Sequence, residues 1–312
     1  MLNFLLLLLG LSFLLLGSHW LVKSLSGISF YFKLKPIFLS IVVLGFVSSS
    51  PECFVTLNAS FKGLSSAALG NIVGSNVINI LLVLSLAGLF YGFTWKKQIV
   101  YFDMSVLIFA TLLLGLFSIN KNIGFLDGLS LLTVFIIYLF FLFKQRKEEN
   151  KTDSKEEQTL SSSFCLKKSF VLTALGFLLL FTGSSLAVDS SLELVKAFSL
   201  SEKFAGIFIL SLSTSLPELA TSLQAVFKKQ GEMALGNIIG SNIFNTLFVL
   251  GSASLLKPLQ FPPELYSDYF FMFFVTLALF VSLLFFKKIL KFIFSAFIIS
   301  YFIYISFVSG IL

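Results

Sequence analysis

An all-α membrane protein, with ten transmembrane helices in two inverted five-helix repeats, is the fold that this sequence predicts. Three observations predict it. Of 312 residues, 57% are hydrophobic and only 12% charged, whereas a soluble domain carries about 25% charged residues. Apolar runs of the roughly 20 residues needed to cross a bilayer recur along the whole length. Finally, residues 49–84 and 215–250 align without a gap at an offset of 166, with 19 identities in 36 positions.

The apolar runs fall at 2–22, 36–60, 66–92, 98–118, 123–143, 169–188, 204–227, 232–256, 267–286 and 290–311. The first has no basic stretch before it and no small-x-small cleavage site after it, which argues against a signal peptide. Its Gly10, Gly17 and Ser18 recur 166 residues later as Gly176, Gly183 and Ser184, so it is a helix of the repeat. The second, third, seventh and eighth runs are less uniformly apolar and carry the duplicated segments. Residues 144–168, which include KQRKEENKTDSKEEQTLSSS, are charged and hydroxyl-rich. Such a composition predicts a solvated, largely disordered linker. It separates a first half, 1–143, from a second half, 169–312. Each half holds five spans, and because five is odd the second enters the membrane from the opposite side.

The net charge of +7 is a topology signal and does not indicate nucleic-acid binding. With an external N-terminus, 17 of the 22 Lys and Arg residues fall on the cytoplasmic side, and only Lys62, Lys121, Lys196, Lys203 and Lys257 lie outside. That is the positive-inside bias. It predicts a multi-pass protein of the plasma (inner) membrane with both termini external and the 144–168 linker cytoplasmic. The lipid bilayer is its expected surrounding, and no obligate protein partner is evident. Cys53 at membrane depth and Cys165 in the linker are not placed to form a disulfide. His19 reads as a polar residue near a helix end, and Asp103, Asp127, Asp189, Glu193 and Asp268 read as solvated residues near span ends.

The chemistry lies in the duplicated segments. Each copy has a Ser-x-Pro-Glu element, Ser49–Glu52 and Ser215–Glu218. Proline removes an amide donor and clashes with the preceding turn, so carbonyls near Gly45–Ser48 lose their partners. Inside a membrane such a break is tolerated only where it lines an enclosed cavity. Ser48, Ser49 and Glu52 share one helical face, and Thr214, Ser215 and Glu218 repeat the arrangement. Each copy also has a Gly-Asn-Ile-x-Gly-Ser-Asn-x-x-Asn element, Gly70–Asn79 and Gly236–Asn245. Ser75 and Asn79 form one stripe, and Ser241 and Asn245 another. The glycines at 70, 74, 236 and 240 allow close helix approach.

Two carboxylates with hydroxyl, amide and carbonyl oxygens make a ligand set for hard cations such as Ca²⁺ or Na⁺, and a poor one for Zn²⁺ or Cu⁺. Two glutamates balance one Ca²⁺. An empty site with two facing carboxylates crosses the membrane reluctantly, which predicts an exchanger that moves when loaded. One Ser-x-Pro-Glu copy alone is equally compatible with a packing role. Two matched copies are not, because an ionised group at bilayer depth costs several kcal/mol unless paired or functional. No activating base lies near the serines in sequence and His-Glu-x-x-His is absent, so an intramembrane enzyme is not expected and no cofactor is implied. A passive channel is the other competing class.

At these four motifs the chain resembles the sodium/calcium exchanger branch of the cation/calcium exchanger superfamily, in its prokaryotic form, and the resemblance spans all ten runs. It implies an antiporter that uses the inward Na⁺ gradient to extrude Ca²⁺ by alternating access, with the two first helices of the halves sliding against the bundle. Carried over position by position, it implies that Glu52 and Glu218 ligate Ca²⁺ centrally with Ser48 and Thr214. Ser49, Ser75, Ser215 and Ser241 would complete flanking Na⁺ sites, and Asn79 and Asn245 would shape the middle of the cavity. The chain departs from the family pattern at Ser48, often Thr, at Ser50, often Leu, and at Asn245, where potassium-dependent relatives carry Asp. The Gly-Asn-x-x-Glu-His motif of the proton/calcium branch is missing; a proton/calcium (or other divalent cation) antiporter is the alternative reading.

Overall fold

A computed structural model of the chain describes residues 2–31, 48–90, 99–149, 166–198, 200–227, 231–286 and 291–309. Helices dominate them: α1 (Leu2–Tyr31), α2 (Ser50–Phe61), α3 (Ser65–Phe90), α4 (Tyr101–Ser118), α5 (Phe125–Glu149), α6 (Leu166–Ala197), α7 (Glu202–Phe227), α8 (Ala234–Leu256), α9 (Tyr266–Phe285) and α10 (Lys291–Val308). Eight stretches among the described residues are long and apolar enough to cross a membrane. They correspond to the third through tenth predicted runs. In α1 the apolar stretch is Leu2–Gly17, shorter than the other eight, and of the second run residues 36–47 lie outside the described residues, as does Cys165.

Two helices outrun their apolar stretches. α1 continues past residue 22 and α6 past residue 188. Hydropathy marks where lipid contact ends, whereas a helix continues as long as its sequence permits. Beyond 188, Leu192 and Val195 stay buried while Asp189 and Glu193 face outward, a helical period with no proline to stop it. The predicted linker is likewise trimmed, since helix occupies Lys144–Glu149 at one edge and starts again at Leu166, and residues 150–165 lie outside the described residues.

α1 and α6 pack against each other along their length. The seam is set by Leu7, Gly10, Leu14 and Gly17 on one helix and Gly176, Leu180, Gly183 and Ala187 on the other, all buried. A Cβ on Gly10 would lie 2.9 Å from the Gly183 carbonyl oxygen, and one on Gly17 would lie 2.9 Å from that of Gly176. The later residue on α1 meets the earlier one on α6, so the helices run antiparallel. The contacts also exchange under the 166-residue offset, because Gly183 is the equivalent of Gly17 and Gly176 of Gly10.

The α1/α6 pair lies against α2 and α7, which form a central group with α3 and α8. α5 and α4 flank α8, and α10 and α9 flank α3. A feature foreign to the all-α expectation joins the halves: Asn122–Ile123 pairs antiparallel with Leu259–Gln260, giving strands β1 and β2. Close by, Phe261 donates its amide to the Lys121 carbonyl at 2.9 Å, and Lys62 pairs with Asp189 at 2.5 Å. Lys203 bonds both the Glu264 carbonyl and Asp268. Three of the basic residues predicted on the external side thus gather at one end of the bundle.

Two acidic residues expected in solvent are instead buried. Asp103 accepts the Tyr138 hydroxyl at 3.1 Å. Asp268 accepts Tyr304 at 3.0 Å and pairs with Lys203 at 3.1 Å. Each aspartate ties one rim helix to its neighbour, α4 to α5 and α9 to α10, and burial is tolerated because every charge has a partner. Asp189 and Glu193 do face solvent, each with a lysine partner, and Asp127 caps the Gly124 amide at 2.8 Å. His19 is exposed in the middle of α1, away from either end.

Candidate functional site

The helix carrying each glutamate is interrupted where proline predicts it. Ser49 turns out of helical geometry (φ −88°, ψ 13°) immediately before α2, whose first turn holds Pro51 and Glu52. Ser215 does the same (φ −80°, ψ 3°) within α7, before Pro217 and Glu218. The interruption redirects the serine hydroxyls. Helix-face spacing groups Ser49 with Glu52, but the Ser49 hydroxyl donates to Glu218 Oε1 at 2.8 Å, across the molecule. Reciprocally, Ser215 donates to Glu52 Oε1 at 3.3 Å. Thr214 interacts with Glu52 and Ser48 with Glu218, and the two carboxylates are close enough for their charges to interact. Of Gly45–Ser48, only Ser48 lies within the described residues.

All these groups are buried: Glu52 is 1% exposed and Glu218 0%. Among the described residues no Lys or Arg pairs with either carboxylate, and each retains an oxygen, Oε2, without a hydrogen-bond partner. A buried, unpaired carboxylate oxygen costs several kcal/mol unless something compensates it.

The stripes lie on α3 and α8, the helices packed beside α2 and α7. Ser75, Asn79, Ser241 and Asn245 are all fully buried. The Ser75 and Ser241 hydroxyls and the Oδ1 atoms of Asn79 and Asn245 lack partners among the described residues. With the two Oε2 atoms and the Oδ1 atoms of Asn71 and Asn237, they make four pairs of buried, unpartnered oxygens related by the 166-residue offset. Asn79 and Asn245 each lie at the start of a π-helical turn, Asn79–Leu84 and Phe244–Val249, a local widening of the helix that often accompanies function. The glycine spacing acts as expected in the first copy. A Cβ on Gly74 would meet the Ile207 carbonyl oxygen at 2.5 Å, so glycine lets α3 lie directly on the arm of α7 that leads to Thr214 and Ser215.

The ten predicted residues are thus all buried in this central region. Spacing alone left out a second rank of amides behind them. Asn71 donates to the Thr56 hydroxyl at 2.9 Å and Asn237 to Thr221 at 3.2 Å. Asn79 donates to Asn242 Oδ1 at 3.0 Å and Asn245 to Asn76 Oδ1 at 3.3 Å. The signal was present: Asn71 and Asn76 are identical to Asn237 and Asn242 at the same offset. Two buried carboxyl groups with hydroxyl and amide oxygens suit a hard cation as cargo.

A sequence model of the family described as sodium/calcium exchanger protein matches this chain twice, over residues 2–144 and 168–310. The chain is 31% identical over 278 residues to inner membrane protein YrbG of Escherichia coli (strain K12), covering 87% of this chain and 86% of that one. It is 32% identical over 254 residues to the putative antiporter CaxA of Alkalimonas amylolytica, covering 80% of each. A solved structure of the sodium-calcium exchanger NCX_Mj, soaked with 2.5 mM Na⁺ and 10 mM Sr²⁺, aligns with a TM-score of 0.68 and 28% identity over 98% of both chains.

Proposed function

Because this chain belongs to the sodium/calcium exchanger family, whose members exchange cations for Ca²⁺ across membranes, we propose that it carries out Na⁺-coupled Ca²⁺ antiport. Glu52 and Glu218 hold Ca²⁺ through their Oε2 atoms, with Ser48 and Thr214 beside them. Ser49, Ser75, Ser215 and Ser241 complete Na⁺ positions on either side, and the Asn79 and Asn245 oxygens line the middle. The observation that carries this reading is that both glutamates, and Ser75, Ser241, Asn79 and Asn245 of the duplicated stripes, each keep a buried oxygen without a hydrogen-bond partner among the described residues. Two carboxylates neutralise one divalent ion, and the surrounding oxygens supply the 6–8 ligands that Ca²⁺ takes. Loaded instead with Na⁺, the same oxygens serve smaller charges, so the two ions compete.

Ten spans in two inverted repeats complete the proposal. The antiparallel course of α1 and α6 supports it, since equivalent helices of inverted halves must run in opposite directions. Their glycine seam supports alternating access by movement of that pair over α2 and α7. The N-terminus lies outside by the distribution of Lys and Arg.

The test is ion flux through reconstituted protein. Vesicles loaded with Na⁺ and diluted into Na⁺-free medium take up Ca²⁺, and uptake collapses when the gradient is dissipated. Uptake that ignores Na⁺ and follows a pH gradient assigns the chain to proton-coupled exchange instead. Flux without any counter-ion indicates a channel.

A further inference from the structure

The buried Oδ1 atoms of Asn79 and Asn245 can serve the proposed cation only if their NH₂ groups are held elsewhere. A freely rotating amide presents a donor as readily as an acceptor, and a donor repels a cation. Two hydrogen-bond chains behind the site fix the direction. In the first, Asn242 Nδ2 donates to the backbone carbonyl of Asn76 at 3.1 Å. A carbonyl only accepts, so the amide of Asn242 must turn its Oδ1 towards Asn79, which donates to it at 3.0 Å. Asn79 Oδ1 is then the atom left uncommitted.

The second chain starts from a hydroxyl. Thr246 donates to the Asn242 carbonyl at 2.9 Å. Its one proton is used, so towards Asn76 it can only accept, and Asn76 Nδ2 donates to it at 2.8 Å. Asn76 Oδ1 therefore accepts from Asn245 Nδ2 at 3.3 Å, and Asn245 Oδ1 is left uncommitted. All five side chains are at most 1% exposed, so water does not scramble the order. The halves differ here: the position equivalent to Thr246 is Ile80, and the first-half amide takes its direction from a backbone carbonyl instead.

We infer that Thr246, Asn76 and Asn242 are positioning residues for cation recognition, with Thr246 setting the sense in which Asn76 and then Asn245 present their amides. The inference rests on the cation reading of the central cavity. Without the Thr246 hydroxyl, Asn76 has no acceptor on that side and can reverse. Asn245 then turns its NH₂ inward.

The experiment compares Ca²⁺ uptake into Na⁺-loaded vesicles by the full-length wild type and by Thr246→Val, Thr246→Ser, Asn245→Asp and the Thr246→Val/Asn245→Asp double variant. Thr246→Val should raise the half-saturating Ca²⁺ concentration by about tenfold, equivalent to one misdirected polar contact. Maximal rate and melting temperature should change much less. Thr246→Ser should restore affinity, because it returns the hydroxyl. A carboxylate needs no orientation, so Asn245→Asp should cancel the Thr246→Val defect in the double variant. A role confined to packing predicts the reverse: Val, which matches the shape of Thr, would be neutral, and the smaller Ser would carry the defect. That outcome, or additive effects in the double variant, overturns the inference while leaving Ca²⁺ exchange intact. Absence of Ca²⁺ uptake by the wild type overturns the cation reading, and this inference with it. If Thr246→Val yields no folded protein, the comparison of Asn245→Asp with Thr246→Ser/Asn245→Asp decides. Orientation by the hydroxyl predicts the same half-saturation in both, and a shift between them sinks it.

Discussion

The hydroxyl of Ser49, immediately before α2, donates to Glu218 of α7 at 2.8 Å, so one half of the chain holds the carboxylate of the other. Ser215 returns the contact to Glu52 at 3.3 Å. Each carboxylate is thus held by a hydroxyl of the other half, and any relative movement of α2 and α7 changes both contacts together. For the antiport proposed above, this coupling would let two separated segments of chain respond to one ion.

Removing these hydroxyls is the direct probe of that coupling. A hydrogen bond to a charged group contributes about 1.5–3 kcal/mol. Ser49→Ala should therefore weaken Ca²⁺ binding about ten- to a hundredfold, measured as half-saturating Ca²⁺ for vesicle uptake. Ser215→Ala removes the longer contact and should cost less. Glu52→Gln and Glu218→Gln each remove one of the two balancing charges and should abolish Ca²⁺ uptake with the protein still monodisperse in detergent. Full activity in either glutamine variant would refute the shared carboxylate site.

The glycine seam makes a steric prediction. A Cβ on Gly183 would sit 2.8 Å from the Gly10 carbonyl oxygen and 3.0 Å from the Leu14 amide nitrogen. These are backbone atoms and cannot swing aside. Gly183→Val should force α1 and α6 apart, with an overpacking cost of about 1–3 kcal/mol, seen as a lower melting temperature in detergent and slower exchange. A substitution on the lipid-exposed side of the same helix, such as Phe181→Leu, should change neither. Equal effects from the two would mean that the seam is not a close contact.

Much of this was legible in the sequence because duplication acts as an internal alignment. Gly10 and Gly17 stood out only through Gly176 and Gly183, and the glutamates through each other. What stayed hidden depends on partners distant in the chain. Spacing placed Ser49 beside its own Glu52, since helix arithmetic holds only while the helix is continuous, and the break at Ser49 sends its hydroxyl to the other half. Asp103 and Asp268 read as solvated because the tyrosines that accompany them underground, Tyr138 and Tyr304, lie on the next helix. The π-helical turns at Asn79 and Phe244 have no sequence mark, since their extra residue per turn is a matter of packing.

Asp268 offers a stability prediction independent of transport. It is 1% exposed and paired to Lys203, whose side chain is 17% exposed. Breaking a buried pair by removing one partner costs about 3–5 kcal/mol, because the other charge is left uncompensated. Lys203→Met should therefore lower the melting temperature strongly. Lys203→Met/Asp268→Asn should recover most of the loss, since neither charge remains. If the double variant melts as low as the single one, the pair was not the source of the cost.

The strand contact at one end tests topology and the juxtaposition of the halves in a single experiment. Asn122 is directly opposite Gln260 in an antiparallel pair, and opposed residues in such pairs have Cα atoms about 4.5–5.5 Å apart, within the span of a disulfide. In a Cys53→Ser/Cys165→Ser background, Asn122→Cys with Gln260→Cys should cross-link on mild oxidation. Cleavage within residues 150–165 should then leave the halves joined under non-reducing conditions and free after reduction. Before oxidation, a membrane-impermeant thiol reagent added outside intact cells should label both cysteines, because this end carries Lys62, Lys121 and Lys203, three of the few basic residues assigned to the exterior by the positive-inside bias. Labelling only after permeabilisation would reverse the orientation of the whole carrier. Failure to cross-link would separate the two loops.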